Sequence, residues 1–140
     1  LFAQKIGKSM IKNKVNGSII QISSLYGLVA PDYKIYKGIK DKSVSHSPIS
    51  YMVSKSALEG LTKYLSAHWG KYNIRVNSVC PGGIDIGLDT TFKKNYINKV
   101  PLNRMATVKD LDGIILYLAS DSSSYVTGQN FVVDGGYTVI

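Results

Sequence analysis

Two short apolar, β-branched runs bracket one long helical stretch, and this limits the fold more than any other feature of the chain. The first run is Ile19-Ile20-Gln21-Ile22, entered through the turn residues Asn16-Gly17-Ser18 and closed by Ser23-Ser24. The second is Ile74-Arg75-Val76-Asn77-Ser78-Val79, closed by Pro81-Gly82-Gly83. Between them, residues 50 to 69 place apolar side chains at Val53, Ala57, Leu58, Leu61, Leu65 and Trp69. That period predicts a helix with one buried stripe. Strand, crossover helix and strand make a βαβ unit, with parallel strands and a right-handed crossover.

The rest of the chain extends this pattern. Residues 1 to 13 read as a helix with Phe2, Ile6 and Met10 on one stripe. A short helix is predicted from Thr91 to Asn98 in the polar stretch 84 to 100. Thr107 has the features of an N-cap, with Asp110 three residues on approximating a capping box, before the stripe Leu111, Ile114, Ile115, Leu118. That helix ends near Ser120. Gly128 marks a turn before a last strand, Asn130-Phe131-Val132-Val133, which Asp134-Gly135-Gly136 terminates. Residues 25 to 49 carry Gly27, Pro31, Gly38 and Pro48 among many polar residues and are expected to be loop. So long a connection is uncommon in a compact domain and often functional. No repeat or interdomain linker interrupts the order, so residues 1–140 are expected to be one domain.

Composition excludes several classes. The single cysteine, Cys80, builds neither a disulfide framework nor a metal cluster, and its place at a strand end suits a small core residue. His46 and His68 lack neighbouring ligands at metal spacing, so no metal site is expected. No apolar run reaches the ~20 residues of a membrane span, and the polar start at Gln4-Lys5 does not resemble a signal peptide, which points to a cytoplasmic protein. The net charge of +8 admits a basic surface for nucleic acid. However, the lysines are scattered and no nucleic-acid-binding signature accompanies them, so no nucleic-acid partner is expected.

Chemistry concentrates at one edge. In a parallel sheet, Ser23-Ser24 and Pro81-Gly82-Gly83 fall on the same side, at the carboxyl ends of the strands where open α/β sheets bind ligands. The first turns of the long helix, carrying Tyr51, begin on that side. Tyr51 and Lys55 are four residues apart and therefore share a helix face. An ammonium beside a phenol favours the anion left by proton release, so the pair suits proton transfer. A hydroxyl from Ser24 can join them.

With these residues in view, the chain resembles the short-chain dehydrogenase/reductases. The resemblance rests on Ser24 after a strand, Tyr51-Met52-Val53-Ser54-Lys55, Asn77-Ser78-Val79-Cys80-Pro81-Gly82, Pro101-Leu102-Asn103-Arg104-Met105, Gly128-Gln129 and Val133-Asp134-Gly135-Gly136, in family order. It implies an α/β fold, a Rossmann-type parallel sheet with flanking helices. It also implies hydride exchange between NAD or NADP and a carbonyl or alcohol. Tyr51 would be the general acid and base, Lys55 would hold the cofactor ribose and stabilise the phenolate, and Ser24 would bind the substrate oxygen. Pro81, Gly82 and Ile84 would line the nicotinamide.

Departures from the family pattern carry expectations of their own. The family's glycine-rich turn between first strand and first helix has no counterpart here, and the relay asparagine would lie upstream of Leu1. The chain is therefore expected to be the C-terminal half of a longer dehydrogenase, with the N-terminal part of the fold absent. Ile86 stands where family members often carry threonine. Ser24 and Tyr51 are 27 residues apart, about twice the common family spacing. The lengthened interval, with Ala30-Pro31-Asp32-Tyr33, resembles dehydrogenases of surface-sugar modification. Tyr26, Tyr33, Tyr36 and His46 within it are candidate substrate-binding residues for a small-molecule, sugar-like substrate. The whole protein is expected to be a homo-oligomer, a dimer or tetramer. Two other readings remain: a non-catalytic remnant serving as an oligomerisation module, and a basic nucleic-acid-binding surface.

Overall fold

The computed structural model describes residues 2–40 and 47–140. Helix α1 (Phe2–Lys12) leads into β1 (Gly17–Ile22), and α2 (Ile49–Trp69) crosses over to β2 (Ile74–Pro81). Helix α3 (Thr90–Ile97), helix α4 (Asp112–Ala119) and β3 (Asn130–Val133) follow. The three strands form one parallel sheet in the order β1-β2-β3, with Ile19 opposite Val76 and Val79 opposite Phe131. The expected βαβ unit is present, and β2 runs two residues further than its β-branched run because Pro81 still pairs with Val133. Among the described residues of the connection after β1, 3-10 turns form at Leu25–Gly27 and Tyr33–Tyr36.

Among the described residues, two apolar clusters hold the elements. Leu65, Trp69, Ile74 and Val76 form one, between α2 and the sheet. Trp69 lies directly on the backbone of α1 at Gly7, where any side chain would collide with its ring. The other, at the carboxyl edge of the sheet, gathers Leu25, Tyr26, Ile35, Tyr96, Val100, Met105 and Tyr137.

Helix α2 corrects one sequence expectation. Leu65 and Trp69 are buried, but Val53 is 63% exposed and Ala57 is exposed. Glu59, Thr62 and Ser66 are buried beside Leu65 and Trp69. Polar side chains tolerate this burial because they find partners there. Gln21 Nε2 donates to Thr62 Oγ1 (2.7 Å), and the Cys80 thiol donates to Glu59 Oε1 (3.2 Å). Phe2 likewise leaves the stripe expected of α1 and is exposed. Cys80 is fully buried, and burial first of all pushes its thiol up to about 11, so it behaves as a core residue.

The segment before α4 starts with a 3-10 turn, Val108–Leu111, closed by the capping box read from the sequence. Asp110 Oδ2 accepts from the Thr107 amide (2.7 Å) and hydroxyl (2.9 Å), and both carboxylate oxygens accept from Arg104 (2.7 and 2.9 Å). The Arg104 guanidinium first, then Thr107, holds the Asp110 carboxyl well below the usual carboxylate range. A depressed folded pKa contributes stability that is present above the unfolded value of about 3.9 and is lost as pH falls through the folded one. Asp110→Asn is therefore expected to lower the thermal midpoint modestly at pH 7, with the difference from the parent shrinking below about pH 4. Thermal unfolding of the whole protein at pH 7 and pH 3 checks this. A gap that widens in acid would contradict the assignment.

Candidate active site at the carboxyl edge of the sheet

The site begins where β1 ends. Ser24 has extended backbone (φ −162°, ψ 157°) and caps the following 3-10 turn, its Oγ accepting from the Tyr26 amide (3.2 Å). That bond uses an oxygen lone pair and leaves the hydroxyl proton available for donation. The neighbouring Ser23 Oγ donates to the Lys55 carbonyl (3.1 Å), and Ser56 Oγ donates to the Gly27 carbonyl (3.1 Å). These two bonds lace the turn to the first half of α2. Gly27 is required for the approach, because a Cβ there would lie 2.9 Å from Ser23 Oγ and 3.1 Å from Glu59 Oε1 and the Lys55 backbone.

Lys55 Nζ reaches back over this junction and donates to the Ile22 carbonyl (2.9 Å), two residues before Ser24. It also lies 5.6 Å from the centre of the Tyr51 ring. An ammonium has three donors, so one anchored bond leaves two for a ligand. Tyr51 is 40% exposed, which leaves it accessible to a ligand at this edge. The structure thus gathers the turn of Ser24, Tyr51 and Lys55 at one end of the sheet. Beneath them Glu59 Oε2 is buried without a hydrogen-bond partner.

The second wall is the turn after β2. Gly82 N donates to the Val133 carbonyl (2.9 Å), which fastens the turn to β3. Ile84 bridges to Ala106, but the bonds of that bridge are made by the Gly83 carbonyl (3.0 Å) and the Asp85 amide (2.8 Å). The Ile84 amide and carbonyl therefore face away from Ala106. Asp134 closes the end of β3, accepting from the Gly136 amide (2.9 Å) and from the Thr138 amide and hydroxyl (2.8 and 2.7 Å). Asp134 therefore caps the turn that ends the strand.

The residues expected to bind substrate separate into distinct places. Tyr26 is buried in the aromatic cluster at the edge of the site. Tyr36 packs its ring on Phe92 (5.4 Å between centroids) and exchanges a hydrogen bond with Ser47 Oγ (3.1 Å). Tyr33 is 62% exposed and stays out of the cluster. His46 lies outside the described residues. Tyr96, together with Phe92 and Tyr137, which no sequence pattern singled out, completes the cluster. Phe92 stacks on Tyr96 (5.9 Å) and Tyr96 on Tyr137 (4.9 Å). The Tyr26 and Tyr137 hydroxyls are buried near one another without a well-formed hydrogen bond. Burial pushes Tyr26 well above the ordinary phenol range and Tyr96 up to about 12. Both phenols therefore remain protonated at neutral pH and serve as hydrogen-bonding groups.

The residues of this edge fit the nicotinamide-ribose half of a dinucleotide. Lys55 offers spare donors for vicinal hydroxyls, and the Ile84 amide and carbonyl are not consumed by the bridge to Ala106.

Residues 39–138 match the family model described as enoyl-(acyl carrier protein) reductase. The chain belongs to the short-chain dehydrogenase/reductase family. It is 40% identical over 143 residues to D-arabinitol 2-dehydrogenase [ribulose-forming] of Candida tropicalis, covering 96% of this chain and 46% of that protein. It superimposes on a short-chain dehydrogenase of Leptospira borgpetersenii with bound NAD+ at TM-score 0.89 and 37% identity, covering 98% of this chain and 50% of the other. A gluconate 5-dehydrogenase of Burkholderia cenocepacia, in complex with NADP and tartrate, aligns at TM-score 0.83 and 30% identity, covering 99% of this chain and 51% of the other. The chain spans about half the length of the curated relatives it matches. Among the described residues, no helix is long and apolar enough to cross a membrane.

Proposed function

We propose that the protein carrying this chain is an NAD- or NADP-dependent oxidoreductase. In this reading it interconverts a carbonyl and an alcohol on a small polar, sugar-like substrate. The observation that carries the reading is Lys55, tied to the Ile22 carbonyl beside the Tyr51 ring and directly below the turn that Ser24 caps. Tyr51 gives its phenolic proton to the substrate oxygen in reduction and takes it back in oxidation. Lys55 directs its remaining N–H groups at ribose hydroxyls and stabilises the phenolate. The Ser24 hydroxyl donates to the same substrate oxygen, while Pro81, Gly82 and the Ile84 amide line the nicotinamide. A bound nicotinamide supplies or accepts the hydride. The sugar-like class draws support from the arabinitol and gluconate dehydrogenases among the relatives.

An assay of the whole protein with NADH and NADPH over a panel of ketoses, polyols and simple ketones tests the reading. Cofactor-dependent turnover is expected with at least one hydroxylated substrate. Absence of turnover together with absence of cofactor binding would leave the remnant reading in its place. The exposed side chains of Phe2, Val53 and Tyr64 on α1 and α2 support a homo-oligomer, which sedimentation of the whole protein checks.

The segment between Ser24 and Tyr51 is assigned to substrate selection, because Tyr26 and Tyr36 join the cluster that borders Ser24. Exchange of residues 25–49 for a short loop is expected to shift relative kcat/KM among substrates at least tenfold and cofactor affinity by less. Steady-state kinetics on the same panel measures both, and the reverse ranking would contradict the assignment.

A further inference from the structure

We propose that Tyr96 is a positioning residue for the cofactor-facing turn, holding Gly83 through its hydroxyl and so tying the Pro81–Ile84 turn to helix α3 and the substrate-side segment 33–37. The proposal rests on the oxidoreductase reading above. The two ends of the turn have backbone partners, Val133 for Gly82 and Ala106 for the Gly83 carbonyl. The Gly83 amide, at its centre, donates instead to Tyr96 Oη (2.5 Å).

Packing around that bond allows little slack. A Cβ on Gly83 would lie 2.8 Å from Tyr96 Cζ and 2.8 Å from Met105 Cε, and one on Gly82 would lie 3.1 Å from Tyr96 Oη. Both glycine backbones therefore rest against the phenol. Tyr96 is itself buried, and its ring is held by its stacking on Phe92 and Tyr137. A neutral phenol accepts from the amide and keeps its own proton, and burial keeps it neutral.

Helix α3, which carries Tyr96, is gripped from the substrate side. Asn95 Nδ2 donates to the carbonyls of Ile35 (3.1 Å) and Lys37 (2.9 Å), and Phe92 packs on Tyr36. A second tie to the cofactor side, Lys93 with Asp85 (2.8 Å), is partly exposed and screened by solvent. The part-buried Tyr96–Gly83 bond, on a buried ring, is the stiffer link. A shift of segment 33–37 thus reaches Gly83, one residue before the amide assigned to the nicotinamide, through a single short helix.

Tyr96→Phe in the whole protein removes the acceptor and keeps the ring. Calorimetric titration with NADH and NADPH is expected to show Kd raised roughly three- to tenfold, the range of one lost hydrogen bond. The cofactor KM should rise in parallel. The kcat and its pH profile should stay near those of the parent, because Tyr51, Lys55 and Ser24 are untouched. Hydrogen–deuterium exchange should quicken at the Gly83 amide and stay slow at Gly82 and Ala106. Cofactor affinity within twofold of the parent, or a loss confined to kcat, would overturn the proposal. A second measurement needs no variant: in the parent, Gly83 must be as protected as Gly82 and Ala106, and an openly exchanging Gly83 amide refutes the link. A parent that binds no cofactor overturns the oxidoreductase reading and this proposal with it. A parent that binds and turns over, beside an indifferent Tyr96→Phe, overturns the proposal alone.

Discussion

Tyr51→Phe in the whole protein is expected to reduce turnover by roughly 10² to 10⁴, the usual contribution of a general acid or base. The substitution deletes one oxygen from a partly exposed ring and leaves every described packing contact of α2 in place. Lys55 keeps its bond to Ile22, and the Ser24 turn keeps its bonds to α2. Stability and cofactor affinity should therefore change little, and the loss should fall on kcat. Thermal unfolding, cofactor titration and steady-state rates over a common pH range separate these quantities. Turnover close to the parent at every pH would remove Tyr51 from the proton-transfer role. Tyr96→Phe has the opposite expected signature, in cofactor affinity and not in kcat, so the two phenols are told apart by experiment.

Residues 1–140 prepared on their own are expected to bind NADH and NADPH with Kd weaker than about 1 mM and to self-associate. Strand β1 pairs with β2 on one side, and no described strand covers its other side. An unpaired row of N–H and C=O groups templates pairing with another chain. The strand is apolar as well: Ile22 is 47% exposed, and a groove of ≈ 480 Å³ lined by Phe2, Ile6, Met10, Ile20, Leu58 and Leu61 runs beside it. Beside the wall proposed for the nicotinamide, the described residues contain no glycine-rich strand-to-helix turn to cradle a pyrophosphate. Half a binding surface then has to offset the full loss of translational freedom. Sedimentation, thermal unfolding and calorimetric titration of this segment test the expectation together. Micromolar cofactor binding by a cooperatively unfolding monomer would show that the segment is self-sufficient.

Much of the architecture is legible along the chain because its causes are local. The helix of Ile49–Trp69 follows from apolar period, and the strands from short β-branched runs between turn residues. The Thr107–Asp110 capping box and the Asp134 turn involve side chains within four residues of the backbone they bind. The placement of Ser24, Tyr51 and Lys55 at one edge follows from topology alone, since parallel strands present their carboxyl ends together.

Three features were decided only by the tertiary fold. The buried face of α2 combines Leu65 and Trp69 of the apolar stripe with Glu59, Thr62 and Ser66, because Cys80 and Gln21 on neighbouring strands supply two of the polar residues with partners that no helical period reveals. Tyr33 is excluded from the aromatic cluster and Tyr137 enters it, because membership depends on where a 3-10 turn and the C-terminal turn come to rest. The bond between Tyr96 and Gly83 joins residues 13 apart across a turn and a helix start. Periodicity, propensity and capping act within a few residues, so the sequence alone determines the elements and the edge where the chemistry gathers. Contacts between residues distant along the chain depend on how those elements dock, and docking decided which buried polar groups support the site.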